Sequence, residues 1–317
     1  MAFEGEEGGI DLGAIRKERE ELQVQRTLSP GTIQAYAAGW RKFCKWCHKA
    51  KLDPLPASPE TVILYAIDMG HAHKWAYIDL HMNAIRWRHA EENFPSPITP
   101  EVREDLANLR RKIGAAQNAK QALSPDDLRK VLSTAGKGVY GVRNRCVLLL
   151  GFASACRRSE LSALQLSDVT TTAEGVVLLI RKSKTDQLSF GQEIGIHRGE
   201  NPSTCPINAL AAWLKERGDW PGPLFCYVKR ETNAIKRRRL HPQVVSQILK
   251  AAAAAAGLDA TKLAAHSLRA GCATAAAAAG AKELAIMGRT RHKSMAMLKR
   301  YVRHGSLFAV DPLRGVL

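Results

Sequence analysis

The chain has no apolar run long enough to cross a bilayer: the longest, Cys146 to Cys156, falls well short of the about 20 residues that a spanning helix needs. Its first residues, Glu4 to Gly9, are acidic and glycine-rich rather than basic and then apolar, so a secretory leader is not expected. Cysteine supplies no disulfide framework, because the seven present are odd in number and scattered through helical patterns. One C-x-x-C stands at Cys44 and Cys47, with His48 after it, but zinc needs a second pair of ligands and none lies at a matching spacing. Both thiols fall on the apolar stripe of Ile33, Tyr36, Trp40 and Phe43, where a small buried side chain packs well. Acidic residues are scarce relative to basic ones, 30 Asp and Glu against 47 Lys and Arg, for a formal charge of +17. These absences point to a soluble protein of a reducing cytoplasm with no membrane partner. The charge excess attracts polyanions, nucleic acid ahead of an anionic membrane surface.

A length of 317 residues exceeds the about 250 to 300 at which single cores stop growing, so two domains are expected. Residues 1–26 open on a glycine- and glutamate-rich stretch that cannot bury enough apolar surface to order itself, and they read as a flexible tail. Four times a Ser or Thr precedes a Pro and then a helical pattern: Ser29-Pro30, Ser58-Pro59, Thr99-Pro100 and Ser124-Pro125. A hydroxyl at the N-cap accepts an orphan backbone N–H, and proline fits the first helical position because its missing N–H was unpaired anyway. Together with helical patterns at 62–69 and 75–90, these starts predict a four-helix unit over residues 27–115. Gly114 to Ala122 is small, polar and aperiodic, which suits a linker, assigned to residues 116–122. A second domain over 123–317 opens on helices at 125–134 and 142–155, then turns to strands at 176–180 and 190–197. Helices near 205–217, 242–256, 267–279, 281–287 and 294–303 follow. The alanine runs 251–256 and 275–279 are helix formers that let helices approach closely.

Several positions carry chemistry. Arg157 stands three residues before Glu160, so on a helix the two share a face and can pair. The turn Arg181 to Asp186 puts Lys182 and Lys184 at a hairpin tip, where a flexible ammonium can reach a phosphate or protonate a leaving oxygen. His266-Ser267-Leu268-Arg269 opens a helix, whose positive end favours an anion, and places His266 and Arg269 on one side. Arg291 and His292 follow, and Tyr301 comes nine residues after His292, held there by a helix. A phenol with a pKa of about 10 is a poor nucleophile at neutral pH unless cations surround the phosphate that it attacks.

The order and spacing of Arg157-x-x-Glu160, the hairpin lysine, His266-x-x-Arg269, His292 and Tyr301 resemble the tyrosine recombinase, or phage integrase, family. The string Thr290-Arg291-His292-Lys293-Ser294, followed by Tyr301-Val302-Arg303, looks most like integrases of bacterial mobile elements. The resemblance covers about residues 123 to 305, and 27–115 looks like the family's core-binding domain. It implies a mainly α protein with a small β-sheet. A helical core-binding domain of SAM-like type and an α+β catalytic domain would close as a clamp on double-stranded DNA.

Carried over residue by residue, the resemblance makes Tyr301 the nucleophile that becomes linked to a 3′ phosphate. Arg157, Arg269 and His292 would hold the phosphate, His266 would take the tyrosine proton or position the site, and Lys184 would be the general acid. Glu160 would support the arginines. Arg158 directly follows Arg157 where the family commonly has an apolar residue, and spacing to Glu160 favours Arg157; Lys182 competes with Lys184 in the same way. Arg291 stands where the family often has glycine, and either adds a phosphate contact or reshapes the loop. No metal or other cofactor is implied.

The basic run Lys236, Arg237, Arg238 and Arg239 reads as a mobile loop that contacts the DNA backbone, and Arg110, Arg111 and Lys112 stand beside the linker for the same use. The tail 303–317 is too apolar to hang free. Either it packs on its own domain or, as the family resemblance implies, it docks on a neighbouring protomer, giving a tetramer on two recombination sites from a free monomer, with room for an accessory DNA-bending protein. A bacterial cytoplasmic protein, nucleoid-associated when DNA-bound, is the matching location. The runner-up readings are a type IB topoisomerase that relaxes DNA as a monomer, and a non-catalytic DNA-binding protein.

Overall fold

In the computed structural model, which describes residues 28–114, 120–181 and 191–291 together with 11, 13, 294 and 295, the proline-led helix starts set the architecture. Ser29, Ser58, Thr99 and Ser124 each accept the backbone N–H three residues on, and each cap contributes about 1 kcal/mol. The chain divides into two compact units, residues 1–118 and 119–317.

Among the described residues of the first unit there are four helices: α1 (Pro30–Ala50), α2 (Pro59–Gly70), α3 (Trp75–Glu91) and α4 (Pro100–Ile113). Helix α1 lies on α3 and α2 on α4, around a core of Phe43, Val62, Tyr65, Ile78, Ile85, Val102 and Leu106. Cys47 is part of that core and Cys44 is half-buried beside it. Helix α3 turns two histidines inward, each with a hydrogen-bond partner, so neither is an orphan. His81 Nδ1 meets Tyr65 Oη at 2.7 Å, while His89 Nδ1 donates to the Ile85 carbonyl at 2.8 Å and its Nε2 accepts the Ala57 N–H at 2.9 Å. Burial pushes the His81 imidazole down to about 4, so it stays neutral in this core at physiological pH.

The second unit is built on α6 (Gly138–Ala153), whose Cys146 to Leu150 are all buried. Around it stand α5 (Pro125–Ser133), the short α7 (Arg158–Ala163), α8 (Pro206–Arg217), α9 (Pro242–Ala255), α10 (Ala265–Ala278) and α11 (Glu283–Thr290). Strands β1 (Val169–Thr171), β2 (Gly175–Ile180) and β3 (Gln192–His197) form an antiparallel sheet in that order, with Val177 opposite both Thr170 and Gly195. The inward residues Val176, Leu178, Ile180, Ile194 and Ile196 join the main core. A second ribbon pairs β4 (Cys226–Val228) with β5 (Ile235–Arg239). No described helix is long and apolar enough to cross a membrane.

The basic run is therefore corrected from loop to strand. Lys236 to Arg239 lie in β5, exposed, with Lys236 opposite Tyr227 and Arg239 opposite Cys226. Cation–π contacts hold two of the arginines in place, Arg237 over Trp220 at 5.1 Å and Arg238 over Tyr227 at 4.9 Å, while Arg239 Nε donates to Ser162 Oγ at 3.1 Å.

Close helix approach comes from glycine at one position that bears on the site. A Cβ added to Gly271 on α10 would lie 2.1 Å from the Leu123 carbonyl oxygen and 2.8 Å from the Phe152 ring. Backbone cannot yield as a side-chain tip does. Gly271→Ala is expected to destabilise the protein by roughly 1 to 3 kcal/mol or more, through overpacking, in reversible denaturant unfolding. An unchanged midpoint would mean that α10 is free to move away from Leu123.

Candidate active site

Helix α6 ends at Ala153, and the chain turns through Ser154, Ala155 and Cys156 before α7 begins at Arg158. Ala155 takes a left-handed backbone, φ 49, which costs a residue other than glycine roughly 1 to 2 kcal/mol. Two guanidinium groups converge on its carbonyl oxygen, Arg269 Nη1 at 2.8 Å and Arg291 Nη2 at 3.4 Å.

Arg157 is the N-cap of α7 rather than a residue inside the helix, which corrects the shared-face reading. It still pairs with Glu160, through its backbone as well as its side chain. Glu160 Oε2 accepts the Arg157 backbone N–H at 2.9 Å, and Oε1 accepts Arg157 Nη1 at 2.6 Å. Arg158 starts the helix and is exposed, whereas Arg157 is half-buried against the carboxylate.

Arg291 arrives from the far side. It caps α11 with a left-handed backbone, φ 56, and donates Nη2 to Glu160 Oε2 at 2.7 Å. One carboxylate thus spans two guanidinium groups. Burial alone would raise the Glu160 carboxyl, but Arg291 and then Arg157 overcome it and hold the group below its ordinary range. The guanidinium of Arg291 is turned into the protein and engaged with Glu160, which supports the second of the two readings of it, that it reshapes the loop.

His266 and Arg269 lie one turn apart on α10, His266 exposed and Arg269 buried. Surrounding protein, then Arg269 and then Arg157, lower the His266 pKa below its ordinary value. The same cations that would bind an anion thus favour the neutral form of the imidazole, a weaker base but one able to accept a proton.

The structure thus brings Arg157, Glu160, His266, Arg269 and Arg291 to one place in the second unit. Lys182, Lys184, His292 and Tyr301 lie outside the described residues. Arg110, Arg111 and Lys112 form the exposed last turn of α4, in the first unit, where positive charge suits the helix C-terminus. Among the described residues no group of three or more His, Cys, Asp or Glu could hold a metal ion. Sequence reasoning did not anticipate Arg289, whose Nη1 donates to the Gly195 carbonyl at 2.5 Å and the Ala153 carbonyl at 3.4 Å. Nothing in its sequence neighbourhood signals those partners.

Comparison with known proteins fits this constellation. Residues 121–306 match the model of the phage integrase family. The integrase/recombinase XerD homologue of Selenomonas ruminantium is 34% identical over 305 residues, covering 93% of this chain and 89% of that protein. Among solved structures, a XerH site-specific recombinase bound to a palindromic difH substrate in a post-cleavage complex aligns with a TM-score of 0.62 at 19% identity, covering 90% of this chain and 78% of that one. A lambda integrase dimer bound to a COC′ core site aligns at 0.58 and 18%, covering 92% and 77%. At such identities the structural matches speak for the fold alone, and the sequence matches carry the family. The chain belongs to the phage integrase family and is a tyrosine-type site-specific recombinase.

Proposed function

We propose that this recombinase cuts and rejoins double-stranded DNA through a 3′-phosphotyrosyl intermediate, without metal or ATP, as a tetramer on two recombination sites. The observation that carries the reading is the meeting of Arg157, Glu160, His266 and Arg269 around one turn of the second unit. Guanidinium suits the task because its fork matches phosphate oxygens bidentately and it never loses its charge.

In the proposed step the Tyr301 oxygen bonds to the scissile phosphorus and the bond from phosphorus to the 5′ oxygen breaks. His266 takes the phenolic proton, and Lys184, in preference to Lys182, donates one to the leaving oxygen. Arg157, Arg269 and His292 stabilise the crowded phosphorane, where each well-placed donor lowers the barrier by on the order of 3 kcal/mol. The phosphotyrosine keeps the bond energy, so a second 5′ hydroxyl can reseal the strand by the reverse attack. The DNA backbone would be met by Lys236 to Arg239 on β5 and Arg110 to Lys112 on α4, one set in each unit, and by Lys182, which lies outside the described residues. The apolar tail 303–317 would join protomers.

A nicked suicide duplex carrying the recombination site tests the chemistry directly. Wild type should form a denaturation-resistant adduct on the 3′ side of the break, and no adduct would sink the proposal. Relaxation of supercoiled plasmids lacking any special site would favour a topoisomerase instead. Binding should also weaken with salt: if about six to ten cations touch phosphates, affinity falls by roughly 10³ to 10⁵ between about 50 and 200 mM. A nearly flat titration would rule out so extensive a phosphate interface.

A further inference from the structure

Arg291 is a cation that the catalytic scheme does not use. Its side chain is 3% exposed and that of its partner Glu160 2%, so the pair is sealed from solvent and from any duplex. Besides Glu160, the guanidinium donates Nη1 to the carbonyls of Arg289 at 3.2 Å and Ser154 at 3.4 Å. Arg289, two residues earlier, reaches Gly195 on β3 and Ala153 at the end of α6. The C-terminal end of α11 is therefore fastened at two points, one to the turn that carries Arg157 and one to the sheet and helix behind it.

Glu160 distributes its oxygens between the two sides, Oε1 to Arg157 and Oε2 to Arg291. Remove Arg291 and a buried carboxylate is left with a single guanidinium, which it will draw inward to replace the lost partner. That guanidinium is the one assigned to the phosphate.

We propose that Arg291 is a positioning residue for DNA cleavage, bridging Glu160 to the end of α11 so that Arg157 is held in register on the phosphate. The inference rests on the function proposed above. It assigns Arg291 no contact with DNA.

The groups that face Glu160 are Arg157 from its own segment and Arg291 from the end of α11, with the Cys156 thiol close by and Arg269 joined to the same turn through the Ala155 carbonyl. Both arginines keep the carboxylate ionised, while burial opposes this. Losing Arg291 therefore moves the protonation of Glu160, and the acid limb of any activity that needs Glu160 ionised, to higher pH.

The test is single-turnover cleavage of the nicked suicide duplex by the full chain, with Arg291→Met, Arg291→Gly and Arg291→Lys. The Met and Gly variants should cleave about 10²-fold more slowly, as expected for a misplaced reacting group, with DNA affinity unchanged. Their acid limb should shift upward, and Lys should recover part of the rate and part of the shift. Glycine relieves the left-handed backbone, so it keeps the test open if Met folds poorly. Wild-type rate and pH profile in the Gly variant would overturn the proposal, as would slower cleavage with an unmoved acid limb. Weakened DNA affinity with a shallower salt slope would overturn it in favour of direct phosphate contact. Failure of the wild type to form any adduct is a separate result, which removes the proposed function itself.

Discussion

If the proposed mechanism holds, Tyr301→Phe is expected to abolish the covalent protein–DNA adduct while leaving DNA binding nearly intact. The expectation follows from what the change removes. A phenol with a pKa of about 10 is ionised to on the order of one part in a thousand at neutral pH, so under the proposed mechanism Tyr301 would need neighbouring groups to accept its proton and stabilise the developing charge. Deleting the oxygen deletes the bond to phosphorus, and no arrangement of cations can substitute for it. Affinity behaves differently because it comes from cations on phosphates, and the substitution removes none of them. Denaturing electrophoresis of the suicide-substrate reaction reads the first effect, and an equilibrium binding titration the second. A residual adduct in the variant would assign the nucleophile to another residue. Nicking without an adduct would point to water as the attacking group.

Arg269→Ala is expected to lower single-turnover cleavage by about 10² to 10³-fold, the cost of one preorganised donor at a developing anion. Two features of the fold make the loss larger than a surface arginine could give. The side chain is buried, so its hydrogen bonds act where water competes little. It also donates to the Ala155 carbonyl, which sits in a left-handed turn directly before Arg157. Truncation would therefore loosen the second arginine as well as remove the first. Arg269→Lys keeps the charge but not the fork, and it should recover little of the rate. The measurements are the cleavage rate at saturating protein and the free energy of denaturant unfolding, which should fall by about 1 to 3 kcal/mol as the buried Ala155 carbonyl loses its shorter donor and keeps only Arg291 at 3.4 Å. An Arg269→Ala protein that cleaves within a few-fold of wild type would remove Arg269 from the phosphate site.

Much of the helical frame was legible because its signals are local. Ser29, Ser58, Thr99 and Ser124 announce helices through side-chain chemistry that acts three residues away. The misreadings share a physical origin. Lys236 to Arg239 show no alternation of apolar and polar residues, so nothing local distinguishes a strand from a loop; pairing with Cys226 to Val228, and the aromatic rings of Trp220 and Tyr227, make it one. Helix α7 is six residues long, too short for a periodic signal, and so Arg157 passed for a helical residue when it is the cap.

By itself, then, the sequence determined which chemical groups are present and in what order: Arg157-x-x-Glu160, His266-x-x-Arg269, His292 and Tyr301, on a mainly helical chain with a charge of +17. Only the tertiary structure decided how some of those charges are used. It set Arg157 rather than Arg158 against Glu160, and it turned Arg291 inward to the same carboxylate across 131 positions of chain. The reason is that propensity and capping act over a few residues. The partner of a buried charge is chosen by whichever group the fold brings within hydrogen-bond distance, because an unpaired buried charge is too costly to keep.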